Sequence, residues 1–301
     1  MKTLLEVQNA VLERAKKEGP KRLAVAASHD DEAMKAVKMA YNLGLVTPVL
    51  IGDADKTKEI CKEIQLDISN VELIDEKNPT KAAFMAVEKI RKGEADMLLK
   101  GLISTKEYFR QVINKETGIK KNKLLSVISV VESSALDRLI VLTDCGMVIK
   151  PDLKEKAELI QNAADSVNKL GIEKPKVAVL CAVEVVNENM PDTIDAAILA
   201  KMGDRGQLGN VVVDGPLAFD NAISKHSAEH KGLVSPVAGA ADIMLLPNIE
   251  AGNILIKSLN YLASAKSGSI VVGASVPVIA PSRSDTAEVK FNSILVGAIL
   301  A

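Results

Sequence analysis

Short apolar runs rich in β-branched residues alternate with stretches whose apolar positions recur every three or four residues, almost from one end of the chain to the other. Residues 22–27 (RLAVAA), 46–51 (VTPVLI), 71–74 and 95–99 read as buried strands, with helices near 31–43, 53–64 and 79–92 between them. In the third of these, Ala83, Val87 and Ile90 fall on one helical stripe. Strands of continuous apolar character separated by helices predict a parallel sheet covered on both faces. The first residues form an amphipathic pattern that stops at Gly19-Pro20, a helix ending rather than a leader sequence.

The rhythm breaks in the middle. Residues 124–131 (LLSVISVV) and 138–142 (RLIVL) are two strands joined by a link too short for a parallel crossover, so an antiparallel pair is expected. The alternation then resumes. A helix over 153–170 carries Leu153, Ala157, Ile160, Ala164 and Val167 on one stripe, and Gly171 stops it. Strands follow at 176–180, 210–213, 242–246 and 269–272, with helices near 192–202, 219–230, 249–264 and 284–300. In the last, Phe291, Ile294, Leu295, Ala298 and Ile299 predict a docked C-terminal helix.

Composition narrows the function. Apolar residues make up 48% of the 301 and aromatics only 2%, with no Trp, so Ala, Val, Ile and Leu must build the core and stacking platforms for bases are scarce. The formal charge is -1, from 38 basic and 39 acidic residues. No global field would draw nucleic acid or an anionic membrane, and any anion site must be local. Cys61, Cys145 and Cys181 form no CxxC pair and read as small buried hydrophobes of a reducing compartment. No apolar run reaches the length of a membrane span, so a cytoplasmic protein is expected.

In open parallel sheets ligands bind where strands turn into helices at their carboxyl ends. Ser28-His29-Asp30-Asp31 reads first as a helix cap. Lys100-Gly101, followed by Ser104 as an N-cap, reads equally as an anion cradle or as a strand-end lysine reaching for water. Residues 214–221, from Asp214-Gly215-Pro216-Leu217 onward, are read as a turn in which Asp220 caps or starts the next helix. Asn253 and Lys257, at i and i+4, share a face of the helix opened by Pro247-Asn248. The last turn, 277–288, gathers Ser282, Arg283 and Asp285 at a helix start, either as a phosphate site beside unpaired backbone N–H groups or as capping by Ser282 or Ser284. His226 and His230 share a helix face and read as solvated, as does the basic loop with Lys115, Lys120, Lys121 and Lys123. GxGxxG after a strand, GxxxxGK[ST], HExxH and GxSxG are all absent.

The segments VVVDGPLAFDNAIS (211–224), ADIMLLPNIEAGNILIKSL (241–259) and VPVIAPSRSDTAEVK (276–290), with LLKGLISTKEY (98–108), resemble the phosphate acetyl/butyryltransferase family. Ser284-Asp285 stands where the acetyl branch has Gly-Cys, which makes the butyryl branch the nearer match. The resemblance implies a two-domain α/β fold like that of the isocitrate dehydrogenases, with parallel-rich sheets flanked by helices and the active-site cleft between domains. Residues 1–124 plus 273–301 would form the first domain and 125–272 the second. It implies transfer of a butanoyl group from butanoyl-CoA to phosphate, giving butanoyl phosphate and CoA, by direct attack in a ternary complex. No cofactor or metal is implied, coenzyme A being a substrate. The partners are CoA, acyl-CoA, acyl phosphate and phosphate, and a homo-oligomer built from dimers, with the strands near 124–142 as candidate contacts.

The roles implied are Ser282 for the oxyanion, Arg283 for the phosphoryl oxygens, and Asp285 or, with one residue gapped, Glu288 as base. Lys100, Gly101, Asn253, Lys257 and Asp220 would line the substrate site. Phosphate acetyltransferase, a metal- and NAD(P)-dependent dehydrogenase of the same fold, and a non-catalytic CoA-binding module are the alternatives.

Overall fold

A computed structural model describes residues 1–121 and 123–301. The chain divides into two compact units, one of residues 4–123 and 267–301 and one of 1–3 and 124–266. In chain order the first stretch carries α1 (Leu4–Glu18), β1 (Lys21–Ala26), α2 (Asp31–Asn42), β2 (Val46–Gly52), α3 (Ala54–Glu63), β3 (Glu72–Asp75), α4 (Pro79–Arg91), β4 (Met97–Lys100) and α5 (Thr105–Val112). The middle stretch carries β5 (Ser126–Glu132), β6 (Ile140–Thr143), α6 (Leu153–Asn168), β7 (Lys176–Leu180), α7 (Pro191–Asp204), β8 (Val212–Leu217), α8 (Phe219–Ile223), α9 (Lys225–His230), β9 (Ile243–Leu245) and α10 (Ile249–Leu262). The chain then returns through β10 (Lys266–Val272), β11 (Val278–Ile279) and α11 (Ala287–Leu300).

In the first unit the strands run in the order β3-β2-β1-β4-β11-β10, parallel except for β10 against β11. Side-chain caps start its helices: Asp30 accepts from the Ala33 N–H, Asn78 from Thr80 and Lys81 ahead of α4, and Ser104 from Glu107. α2 and α4 bury small residues against the sheet, Ala33, Ala36 and Ala40 from one and Ala82, Ala83 and Ala86 from the other. α11 is buried from Lys290 to Leu300 without a break, and a helix apolar on all sides lies inside its unit.

In the second unit the order is β5-β6-β9-β7-β8. β5 and β6 form the expected antiparallel pair, with Val130 opposite Val141, and the remaining neighbours are parallel. α6 opens with a capping box between Asp152 and Glu155. The α/β class, helix-flanked and mostly parallel, is as expected from the pattern.

Three local readings are corrected. Residues 214–217 are no turn: β8 runs through Asp214, Gly215 and Pro216 to Leu217, with a register shift opposite Ala178 and Leu180 that accommodates the proline. The helix expected over 219–230 is two, because extended Ser224 ends α8 and its side chain caps α9 by accepting from the Ser227 N–H. Val278–Ile279, hidden between Pro277 and Pro281, is a buried strand whose preceding carbonyl at Pro277 accepts the Leu98 N–H.

Candidate active site

The carboxyl ends of β1, β2, β4 and β11 share one edge of the first unit. β1 leads to β2 on one side while β4 and β11 lie on the other, so the order reverses between β1 and β4, where open sheets bind ligands. The two strand ends approach closely: Gly101 N–H donates to Ala26 O at 2.8 Å, and a Cβ on Gly101 would stand 2.3 Å from Ala27 O. Only glycine fits there.

Lys100 ends β4 and is 5% exposed. Among the described residues it makes no ion pair, and its one hydrogen bond is a 3.4 Å contact to Gly101 O. Burial pushes its pKa below the ordinary lysine value, with Asp30 opposing and Lys290 and Arg283 adding to the shift. These groups therefore face one another electrostatically. Lys290, in α11, donates to Asp30 Oδ1 at 3.3 Å with its side chain only 3% exposed. Glu32 of α2 accepts the Ala287 N–H at 2.8 Å, tying the starts of α2 and α11 together. His29 accepts the Asp53 N–H at 3.3 Å, and burial, opposed by Asp53, lowers its pKa. Ser28 and Thr57 share a fully buried hydroxyl pair at 3.0 Å.

The Ser282-Arg283 turn precedes α11 rather than opening it, because the cap is Thr286, neither Ser282 nor Ser284. Asp285 Oδ2 accepts the Ser282 N–H at 2.7 Å and the Ser282 and Ser284 hydroxyls lie 3.0 Å apart, closing the turn on itself. The unpaired backbone N–H groups expected here are accordingly engaged at Ser282, Ala287 and Val289. Arg283 is exposed and makes no hydrogen bond or ion pair among the described residues. Side chains, not a helix terminus, supply the positive charge. Glu288 is exposed in the first turn of α11.

Asp220, Asn253 and Lys257 belong to the second unit. Asp220 pairs with Lys231 at 3.1 Å, which lowers its pKa, and Lys231 also bonds Glu184, itself held by the buried Asn221 at 2.7 Å. Asn253 Nδ2 donates to Cys145 O at 3.4 Å, beside Gly252, whose Cβ would stand 2.4 Å from Asp144 O. Lys257 is exposed on the same helix. This unit also holds an apolar cavity of about 300 Å³ at the carboxyl ends of β7 and β9, lined chiefly by Leu180, Cys181, Phe219, Leu246 and Leu255. Burial pushes the Cys181 thiol up to about 11, so it stays protonated near neutrality.

Of the residues singled out in the sequence, the fold gathers Lys100, Gly101, Ser282, Arg283, Asp285 and Glu288 into the first unit. Sequence reading took Asp30 for a cap only, and it missed Lys290. A lysine at the start of a buried helical stretch requires a polar partner, but the sequence does not say which. Among the described residues no group of three or more His, Cys, Asp or Glu is placed to hold a metal ion, and no helix is long and apolar enough to cross a membrane.

The profile of the phosphate acetyl/butaryl transferase family matches residues 6–85 and 76–298. A phosphate butyryltransferase of Clostridium acetobutylicum is 45% identical, covering 97% of this chain and 97% of its own. A phosphate acetyltransferase of Thermotoga maritima is 43% identical, covering 97% and 98%. Among solved structures, a branched-chain phosphotransacylase from Enterococcus faecalis V583 superposes with a TM-score of 0.84 at 31% identity, covering 93% of this chain and 98% of that one.

Proposed function

The chain belongs to the phosphate acetyl/butaryl transferase family, and from that premise we propose that it exchanges a butanoyl group between coenzyme A and inorganic phosphate. The observation that carries this reading is the pairing of an exposed, unpartnered Arg283 with a buried, unpaired Lys100 at one strand-end edge. Two cations without carboxylate partners, set where α/β sheets take ligands, suit a phosphoryl group.

With acyl phosphate as acyl donor, the CoA thiol loses its proton to Asp285 or Glu288 and the thiolate attacks the acyl carbonyl. The C–S bond forms, the oxyanion is met by the Ser282 hydroxyl, and the bond between the acyl carbon and the bridging oxygen breaks as phosphate leaves with that oxygen. Arg283 and Lys100 hold the phosphoryl oxygens throughout. In reverse, a phosphate oxygen attacks the thioester and the CoA thiolate leaves. Transfer is direct, with no acyl-enzyme, cofactor or metal. Asp220, Asn253 and Lys257 contact CoA or the acyl group in this reading.

The proposal extends to a cytoplasmic location and to a homo-oligomer built from dimers. β5 and β6 bury nearly every side chain, whereas α10 exposes Ile254, Tyr261 and Leu262, making that helix the better candidate contact. Light scattering on the purified chain tests the assembly.

The reaction is tested by following thiol release from butyryl-CoA after chelator treatment. Release that requires phosphate and survives the chelator is expected. Phosphate-independent release would point to a hydrolase, and complete loss with chelator to metal chemistry.

A further inference from the structure

At the switch between β1 and β4 there are two buried ammonium groups, and Asp30 acts electrostatically on Lys100 while ion-pairing with Lys290. Lys290 has that carboxylate: its Nζ lies 3.3 Å from Asp30 Oδ1, which also accepts the Ala33 N–H at 2.8 Å. Lys100, 5% exposed, has none. The other carboxylate facing it, Asp285, accepts the Ser282 N–H at 2.7 Å within its own turn. A buried ammonium without a counter-ion carries a desolvation cost that a carboxylate so close would ordinarily relieve. The fold withholds that relief from Lys100 and gives it to Lys290.

We propose that Lys290 is a positioning residue that neutralises Asp30 and so keeps Lys100 unpaired, as the cation that receives the phosphate or phosphoryl dianion. This inference rests on the reaction proposed above and adds two residues to it, neither of which need touch the substrate. The geometry is suited to the task. Lys290 is fixed in a helix buried from that residue onward, and Asp30 is fixed as the cap of α2. Glu32 holds the Ala287 N–H, so the two helix starts are joined at a second point. Remove the Lys290 ammonium, and Asp30 becomes the counter-ion of Lys100. The place meant for phosphate is then filled from within.

The test compares Lys290→Met, Asp30→Asn and the double variant, Asn being chosen because it also caps helices. Inorganic phosphate binding is measured by calorimetry, and the KM for phosphate and kcat by CoA release from butyryl-CoA. Lys290→Met should weaken phosphate binding and raise its KM about tenfold or more, with kcat changed far less. Adding Asp30→Asn should restore most of the affinity, because the carboxylate released by Lys290→Met is then gone, while Asp285 stays turned to the Ser282 N–H. Lys290→Arg should stay near wild type. A purely structural role predicts the opposite, with the double variant no better than Lys290→Met and lower in melting temperature. That result, or unaltered phosphate binding in Lys290→Met, overturns the proposal. If the wild-type chain releases no CoA with phosphate, the reaction assigned above fails, while the calorimetry still decides what Lys290 does.

Discussion

Both units bury lysines, and Lys156 of the second is held in the opposite way to Lys100 of the first. Lys156 of α6 lies between Asp192 and Asp195 of α7, at 2.6 and 2.7 Å, with its side chain 3% exposed. Burial alone would lower its pKa, but the two carboxylates outweigh burial and raise it. Lys100 is buried to a similar depth without an ion pair, and its pKa is lowered. Lys156 is satisfied by its own fold and serves as a joint between helices. Lys100, in the reaction proposed above, is left for the phosphoryl group. Burial by itself does not mark a candidate site lysine; burial without a counter-ion is the sharper signal.

The largest effect that bears on this contrast belongs to the charged edge of the first unit. Arg283→Ala should lower kcat/KM by about 10² or more, with Arg283→Lys recovering only part, since it keeps the charge but not the planar fork. Near wild-type turnover would mean that the exposed guanidinium has no anion to hold. Next come the two lysines themselves. Lys156→Met should cost about 1–3 kcal/mol, discounted because Asp192 and Asp195 keep part of their exposure, and leave phosphate KM unchanged. Lys100→Met should do the reverse, raising phosphate KM about tenfold or more while melting stays level or rises.

pH sharpens the same contrast. The raised pKa of Lys156 gives stability that is fully present below the unfolded value of about 10.4 and lost as pH climbs through the folded one. The lowered pKa of Lys100 gives a penalty at neutral pH that vanishes as pH rises toward that same unfolded value. Phosphate affinity should therefore fall at a pH below the ordinary lysine range, and Lys100→Arg should move that fall upward. Identical pH profiles in wild type and Lys100→Arg would break the argument. The smallest effect concerns chain length: kcat/KM for butyryl-CoA should exceed that for acetyl-CoA, at roughly 1 kcal/mol per methylene buried in an apolar pocket. A preference for acetyl-CoA would reverse the branch assignment and leave the charged edge untouched.

Much of this was legible in the sequence because local patterns carried it. The alternation of strand and helix, the antiparallel pair at β5 and β6, and the strand-end Lys100-Gly101 all follow from periodicity and turn chemistry. What escaped had non-local causes. β11 is two residues long between prolines, and it is a strand only because β4 and β10 flank it. The cap at Thr286 rather than Ser282 depends on Asp285 turning back to the Ser282 N–H. The Asp30–Lys290 pair joins residues from opposite ends of the chain, and no local pattern announces it.

The return of the chain through β10, β11 and α11 also sets a timetable. During synthesis β4 emerges early, but the strand that covers its outer edge arrives only after the whole second unit has been made. At about 5–20 residues per second, that edge stays open for roughly ten to forty seconds. The second unit is complete by residue 266 and can fold meanwhile, whereas the first must wait for residues 267–301. Its unpaired strand edge and the apolar floor that α11 will cover are then accessible to chaperones and to neighbouring nascent chains. The turn bearing Ser282 and Arg283 is laid down in the same stretch, so a ribosome that stalls before it leaves a chain without either residue.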